Sequence, residues 1–382
     1  VIWKDRRYRA LLFQALALIG VIAFSVFLVH NALENLARRG IATGFDFLGS
    51  TAGFGIIMHL VDYTEASSYG RAFVVGLLNT LLVSAVGIVF STLIGFSVGL
   101  ARLSSNWLVA RLAVAYVEIV RNVPLLLQLF FWYFATLIPL PTPRQSLGWG
   151  EAIFLNNRGL YVPAPIVEPG FAAVPWALIA ALGGVVVLLR WNRRRFDATG
   201  RTLPVRSISA ALLVGCPLAA FGIAGAPVTW QFPELRGFNF TGGCVVIPEF
   251  IALLLALSAY TAAFIAEIVR AGIQSVGPGQ IDAAYSLGLK PAQTLRRIVI
   301  PQALRVIVPP LTSQYLNLTK NSSLAVAIAY PDLVSVFMGT VLNQTGQAVE
   351  VIAITMGVYL VISLGISLLM NRYNRRVALV ER

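Results

Sequence analysis

Residues 267–301 read Glu267-Ile268-Val269-Arg270-Ala271-Gly272, then Val276-Gly277-Pro278-Gly279, then Asp282-Ala283-Ala284-Tyr285-Ser286-Leu287-Gly288, and close on Ile298-Val299-Ile300-Pro301. This net-basic, glycine- and proline-punctuated stretch separates two strongly apolar ones. The punctuation predicts a helical hairpin. A first helix from about Gly279 would carry Asp282 in its first turn, where a carboxylate complements the helix dipole, and would stop at Gly288. Pro291 suits the first position of a second helix, whose basic face includes Arg296 and Arg297. Ala283 and Ala284 are small enough to let another surface approach. From local chemistry alone, an ordinary cytoplasmic loop reads equally well.

The rest of the chain says what the hairpin interrupts. Of 382 residues, 58% are hydrophobic and only 12% charged, about half the charge of a soluble domain. The bilayer is therefore the expected solvent. The net charge of +13 does not point to nucleic acid, because the basic residues sit in short clusters between apolar runs rather than on one basic face. The two cysteines, Cys216 and Cys244, form no disulfide framework or metal spacing. His30 and His59 are lone outer-side histidines, read as solvated.

A spanning helix needs about 20 mostly apolar residues. Eight segments qualify: Leu11–Val29, Ala72–Ala101, Val123–Leu140 with an amphipathic lead-in from Asn106, Val174–Leu189, Ile208–Val228, Phe250–Ala266, Leu304–Leu318 and Val351–Met370. The first is too long for a signal-peptide core and is expected to be retained. With both termini inside, 21 of the 29 Lys and Arg fall on the inner side and seven on the outer, with Arg121 near the inner interface. That split favours an all-α polytopic protein with N and C termini in the cytoplasm. Trp149, Trp176, Trp191 and Trp230 lie near span ends, where indoles anchor at headgroups. The segments 141–173 and 227–248 are rich in Pro, Gly, Asn and aromatics, as ordered outer turns are.

The spacing Asp282-Ala283-Ala284, three residues, Gly288, nine residues, Ile298, one residue, Ile300-Pro301 closely resembles the signature loop of ABC-importer permeases. That pattern is Glu-Ala-Ala, three, Gly, nine, Ile, one, Leu-Pro; Asp282 and Ile300 are its two departures here. Glu118-Ile119-Val120-Arg121-Asn122-Val123-Pro124-Leu125-Leu126, continuing through Gln128, is similar to a segment of the polar amino-acid branch. So is Leu318-Thr319-Lys320-Asn321-Ser322-Ser323-Leu324, with Asn321 where Asp is usual. The resemblance covers about 72–140 and 245–375 and is greatest to a subunit of the general L-amino acid or glutamate/glutamine/aspartate/asparagine importers.

The resemblance implies a type I ABC-importer permease fold in the bacterial inner membrane. It divides the chain into an N-terminal span and outer loop (1–71), a first core part (72–140) and an inserted outer loop and helical hairpin (141–248). A second core part with the coupling loop (249–375) and a tail (376–382) follow. It also implies partners: an ATP-binding subunit dimer docked on the hairpin, a second related permease, a periplasmic amino-acid-binding protein and an amino-acid substrate, with no nucleic acid. No Gly-x-x-x-x-Gly-Lys-Ser/Thr phosphate loop occurs in the sequence, so no cofactor is expected on this chain; ATP and Mg²⁺ would be held, and ATP hydrolysed, by the partner.

Individual residues sharpen this. Glu118 and Arg121, like Glu267 and Arg270, are three apart and can pair on one helix face at the inner interface. By the resemblance, Asp282, Ala283, Ala284, Gly288, Ile298 and Pro301 would form the coupling loop. If the seventh span breaks at Thr319–Ser323, then Asn317, Lys320, Asn321, Ser322 and Ser323 would offer polar groups along an amino-acid path, since ionisable groups at depth are functional candidates. The bland reading is that Lys320 snorkels outward. Asn79 either joins that path or bonds a neighbouring helix. The rivals are a secondary transporter driven by an ion gradient, which should show carboxylates at mid-span, and a membrane scaffold with no path.

Overall fold

The computed structural model describes residues 6–38, 44–200 and 203–377. They form two units, one of residues 1–136 and 249–382 and one of residues 137–248. In chain order the first unit opens with α1 (Arg6–Arg38), α2 (Tyr69–Ala101), α3 (Trp107–Asn122) and α4 (Leu125–Phe130), which runs on as a π-helix, Phe131–Leu137. The second unit holds β1 (Leu147–Trp149), β2 (Ile153–Asn156), β3 (Gly159–Val162), β4 (Ala164–Val167), α5 (Ala173–Thr199) and α6 (Val205–Ile223). It ends with β5 (Val228–Gln231), β6 (Glu234–Arg236), β7 (Asn239–Thr241) and β8 (Cys244–Val246). The first unit resumes with α7 (Pro248–Gln274), α8 (Pro278–Ser286), α9 (Pro291–Thr294), α10 (Ile300–Asn321), α11 (Leu342–Thr345) and α12 (Ala348–Val377).

Six helices among the described residues are long and apolar enough to cross a membrane, or seven if the bent pair formed by α3 and α4 with its π-helical extension is one span. The remaining expected span, Leu304–Leu318, lies inside α10, where Arg305, Thr312, Ser313, Gln314 and Asn317 dilute its apolar character. The expected Val123–Leu140 span is also reshaped. Pro124 cannot continue α3, and the chain turns by 106°. Gln128 Nε2 donates to the carbonyls of Val120 at 2.8 Å and Val123 at 2.9 Å, so the backbone groups freed by the break are satisfied.

Lipid tails are as apolar as leucine, so helices associate in a membrane through close packing rather than burial from water. α2 shows how. Its buried stripe includes Gly76, Thr80, Ser84, Gly87, Ser91, Gly95 and Gly99, and α7 brings Ala262 and Ala266 against Gly95 and Gly99. A Cβ on Gly95 would stand 2.6 Å from Ile265 Cβ, and one on Gly99 2.8 Å from Val269 Cβ. The two glycines, one turn apart, set the α2–α7 crossing. A core of Phe47, Ile56, Tyr63, Val75, Leu333, Phe337 and Val351 ties the segment before α2 to the one before α12.

In the second unit, β1, β2, β3 and β8 form an antiparallel sheet in that order, with separate β4–β5 and β6–β7 ribbons. Phe154 stacks on Phe240 at 4.6 Å, and the Tyr161 hydroxyl donates to Asn239 Oδ1 at 2.9 Å. The sequence reading expected only turns here; strands of three or four residues are too short to show alternation. Helices α5 and α6 pack against each other as a hairpin.

Candidate functional site

The inner end of α7 leads into the predicted hairpin. Helix α8 starts at Pro278, one position earlier than expected, so Asp282 falls in its second turn and not its first. Its end follows the sequence reading. Gly288 adopts φ +77°, its N–H bonds the Tyr285 carbonyl at 2.9 Å, and Leu289 N–H reaches the Ala284 carbonyl at 3.1 Å. This pair of bonds is a Schellman cap, which needs a left-handed residue and favours glycine. Pro291 opens α9 as expected, and Lys290 N–H donates to Gln293 Oε1 at 3.1 Å.

The hairpin is anchored on one side and bare on the other. Ala284 is buried, and Ile281 packs with Val276 and Val299 onto Ile265, Val269, Ala303 and Ile307. Ile298 is half-buried, while Asp282, Ala283, Tyr285, Leu287, Arg296, Arg297 and Pro301 are exposed. Leu287 keeps 81% of its surface open.

Above it sits a charge network. Glu267 and Arg270 pair as expected, with Arg270 Nε 3.2 Å from Glu267 Oε1 and a second guanidinium nitrogen on the same oxygen. The other carboxylate oxygen accepts from Arg102, the residue that caps α2. Arg102 was legible only as an inner basic residue; the sequence signal for its partnership is the Gly95–Gly99 pair, which brings α2 onto α7. The expected Glu118–Arg121 pair does not form. Arg121 lies over the Phe264 ring at 4.9 Å, while Glu118 is exposed.

At the other end of α10 the chain does not unwind at Thr319–Ser323. The α-helix runs to Asn321 and tightens into a 3₁₀ segment, Ser322–Ile328, ending at Ala329 with φ +58°. Lys320 and Ser323 line an open cavity of about 470 Å³ together with Val334, Met338, Thr355, Met356 and Tyr359. Asn317 is exposed and Asn321 half-exposed, and the spacing of three and four puts Lys320 and Asn321 on the helix face of Asn317. Ser322 is turned inward and fully buried, donating to the Thr319 carbonyl at 2.7 Å. Asn79 is fully buried as well. Its Nδ2 donates to the carbonyls of Met58 and Pro331, each at 2.8 Å, and its backbone carbonyl accepts from Tyr330 Oη. That makes Asn79 a clasp between chain segments.

Comparison with known proteins supplies the family. Residues 199–379 match the family described as binding-protein-dependent transport system inner membrane component. The putative amino-acid ABC transporter permease protein YhdX of Escherichia coli (strain K12) is 59% identical over 374 residues, covering 98% of this chain and 95% of that protein. This chain belongs to that family. The general L-amino acid transport system permease protein AapQ of Rhizobium johnstonii is 50% identical over 99% of this chain and 94% of its own length. The glutamate/glutamine/aspartate/asparagine transport system permease protein BztB of Rhodobacter capsulatus is 41% identical over 99% and 96%.

In this permease chain, sequence reasoning passed over Asp332. It lies outside the spans, between the 3₁₀ segment and a π-helix, Val334–Val341. Its carboxylate caps that π-helix by accepting from Ser335 N–H at 2.8 Å and faces Tyr359 Oη at 3.4 Å. It is fully buried, and burial pushes its carboxyl up to about 7 despite these bonds. The Asp that follows Pro331 and precedes an apolar run is the signal that could have found it as a cap.

Proposed function

We propose that this chain is the membrane-spanning subunit of an ATP-driven, binding-protein-dependent importer of amino acids in a bacterial inner membrane. The observation that carries the reading is the α8 hairpin, whose buried side is rooted in the bundle while Asp282, Ala283, Tyr285 and Leu287 stand bare. A short helix offering one exposed leucine among small and polar residues suits a groove on a partner. That partner is an ATP-binding subunit dimer, which holds ATP and Mg²⁺ and carries out the hydrolysis; this chain is not the enzyme. Closure of the dimer moves the hairpin, and the Glu267 carboxylate, tied to Arg270 on its own helix and Arg102 on α2, carries the movement to a second helix.

A second related permease completes the path, and a periplasmic amino-acid-binding protein delivers the cargo. The names of the relatives support amino acids as the substrate class. The chemistry of the cavity agrees: the Lys320 ammonium suits an α-carboxylate, and Ser323 adds a hydrogen-bonding group beside it, while Asn317 and Asn321 lie on the neighbouring helix face. The test is co-purification. Leu287→Asp, on a surface that contributes nothing to the core, should leave the chain inserted and release the ATP-binding subunit. Recovery of no ATPase partner by the parent chain, or amino-acid uptake by this chain driven by an ion gradient alone, would overturn the reading.

A further inference from the structure

The helical hairpin of the second unit ends in a charge cluster that the import cycle does not use. The apolar part of α5 stops at Leu189, yet the helix continues for ten residues as Arg190-Trp191-Asn192-Arg193-Arg194-Arg195-Phe196-Asp197-Ala198-Thr199. Arg206 stands in the first turn of α6. Arg190, Arg193, Arg194 and Arg206 are exposed and Arg195 is half-exposed. Among the described residues none of the five has a carboxylate within salt-bridge distance, although Asp197 lies one turn beyond Arg193 and Arg194. The end of the hairpin is held in shape: Leu203 N–H bonds Asn192 Oδ1 at 2.9 Å, and Gly200 closes α5 with φ +67°.

We infer that this cluster is a binding site for anionic phospholipid headgroups on the cytoplasmic leaflet. Charge and depth both argue for it. Five unpaired guanidiniums against one carboxylate complement a leaflet whose anionic lipids attract juxtamembrane arginines, and a guanidinium fork matches a phosphodiester bidentately. At 1.5 Å per residue, Arg190 to Arg195 spans about 7.5 Å along the helix. A headgroup layer is about 5–8 Å deep on each side of the hydrocarbon, so the run from Arg190 to Arg195 matches the depth of that layer. Two aromatics mark the same level. Trp191 is 53% exposed and Phe196 52%, with Arg195 stacked on Trp191 at 5.6 Å. Exposed apolar rings interleaved with the arginines suit a layer with an apolar floor; a soluble acidic protein would offer these rings no such floor.

The test is site-specific photocrosslinking from position 196 of the full chain, with Phe196→benzoylphenylalanine, in bilayers of phosphatidylcholine with and without phosphatidylglycerol. At equal mole fraction, phosphatidylglycerol adducts should exceed phosphatidylcholine adducts by about tenfold. Arg193→Gln, Arg194→Gln and Arg195→Gln together should bring the ratio towards one, and the three Lys counterparts should keep it. High salt should do to the parent chain what the Gln variant does, which decides the matter even if that variant does not insert. Equal adducts from the parent chain, a ratio indifferent to salt, or crosslinks chiefly to an ATP-binding subunit in the assembled complex would overturn the inference.

Discussion

Arg102, the residue that ends α2, donates to the carboxylate of Glu267 on α7, 165 residues away in the chain. The same carboxylate accepts from Arg270. One acid therefore serves two arginines, and the consequences of removing each partner are unequal.

Glu267→Ala strips both guanidiniums at once, and the Arg102 side chain is only 13% exposed with its Nε already unpartnered. Breaking a largely buried pair in this way costs about 3 kcal/mol, because the charge left behind is poorly solvated. Arg102→Ala leaves Glu267 with Arg270 and removes the poorly solvated charge itself. Thermal unfolding in detergent should therefore rank Glu267→Ala as clearly less stable than Arg102→Ala. The reverse order would show that the network is not held together by the acid.

Gly95→Ala is expected to destabilise more than Gly87→Ala. The new methyl at position 95 meets Ile265 Cβ at 2.6 Å and the Ala262 carbonyl at 3.0 Å, which are fixed to the α7 backbone. At position 87 it meets only the flexible end of Leu318 at 3.3 Å. Overpacking of the first kind costs about 1–3 kcal/mol, and forcing α2 from α7 also lengthens the Arg102–Glu267 contact. Gly357→Ala, with open space around it, is the control and should be neutral or stabilising. Measuring the three melting temperatures checks the order.

These contacts mark how far the sequence could be read. The hairpin was legible because its determinants are local: Pro278, Gly288 and Pro291 each act through their own φ angles and caps. The span positions were legible because hydrocarbon demands long apolar runs. What was not legible depends on which helix lies next to which. Glu118 and Arg121 have the right spacing to pair, but Arg121 finds the Phe264 ring on α7 instead. Asn79 looked like a polar group in a span and proved to clasp Met58 and Pro331, the latter 252 residues away. The strands of the second unit escaped because each is only three or four residues long, so neighbours, not alternation, define them.

Stability should fall with rising pH because of Asp332. Burial pushes its carboxyl up to about 7 from an ordinary value of 3.8, so the folded state prefers the protonated acid. Below pH 4 both folded and unfolded chains hold that proton, and nothing is lost. Between pH 4 and 7 the unfolded chain releases it first, and the folded state loses up to about 4 kcal/mol before levelling off above pH 7. Asp332→Asn removes this dependence while keeping the cap on Ser335, since Asn caps as well as Asp. The melting temperature of Asp332→Asn should thus gain on the parent across that window. Parallel pH profiles would show that Asp332 does not titrate there.

Asn79 and Lys320 should separate clasp from path. Asn79→Ala leaves the carbonyls of the half-buried Met58 and Pro331 without their partner, at up to about 1–3 kcal/mol for an unsatisfied buried group. The chain should melt earlier, while the protein that remains folded takes up amino acid with an unchanged KM. Lys320 is exposed at the cavity, and among the described residues it forms no ion pair whose loss would unfold the chain. Lys320→Met should therefore melt like the parent. If its ammonium receives the α-carboxylate, losing a charge-assisted bond of about 1.5–3 kcal/mol raises KM by about ten- to a hundredfold, and Lys320→Arg restores part of it. Uptake by the reconstituted complex reads both variants in one assay. An unchanged KM in Lys320→Met would take this cavity off the substrate's route, whatever the hairpin at the opposite end of α10 is shown to do.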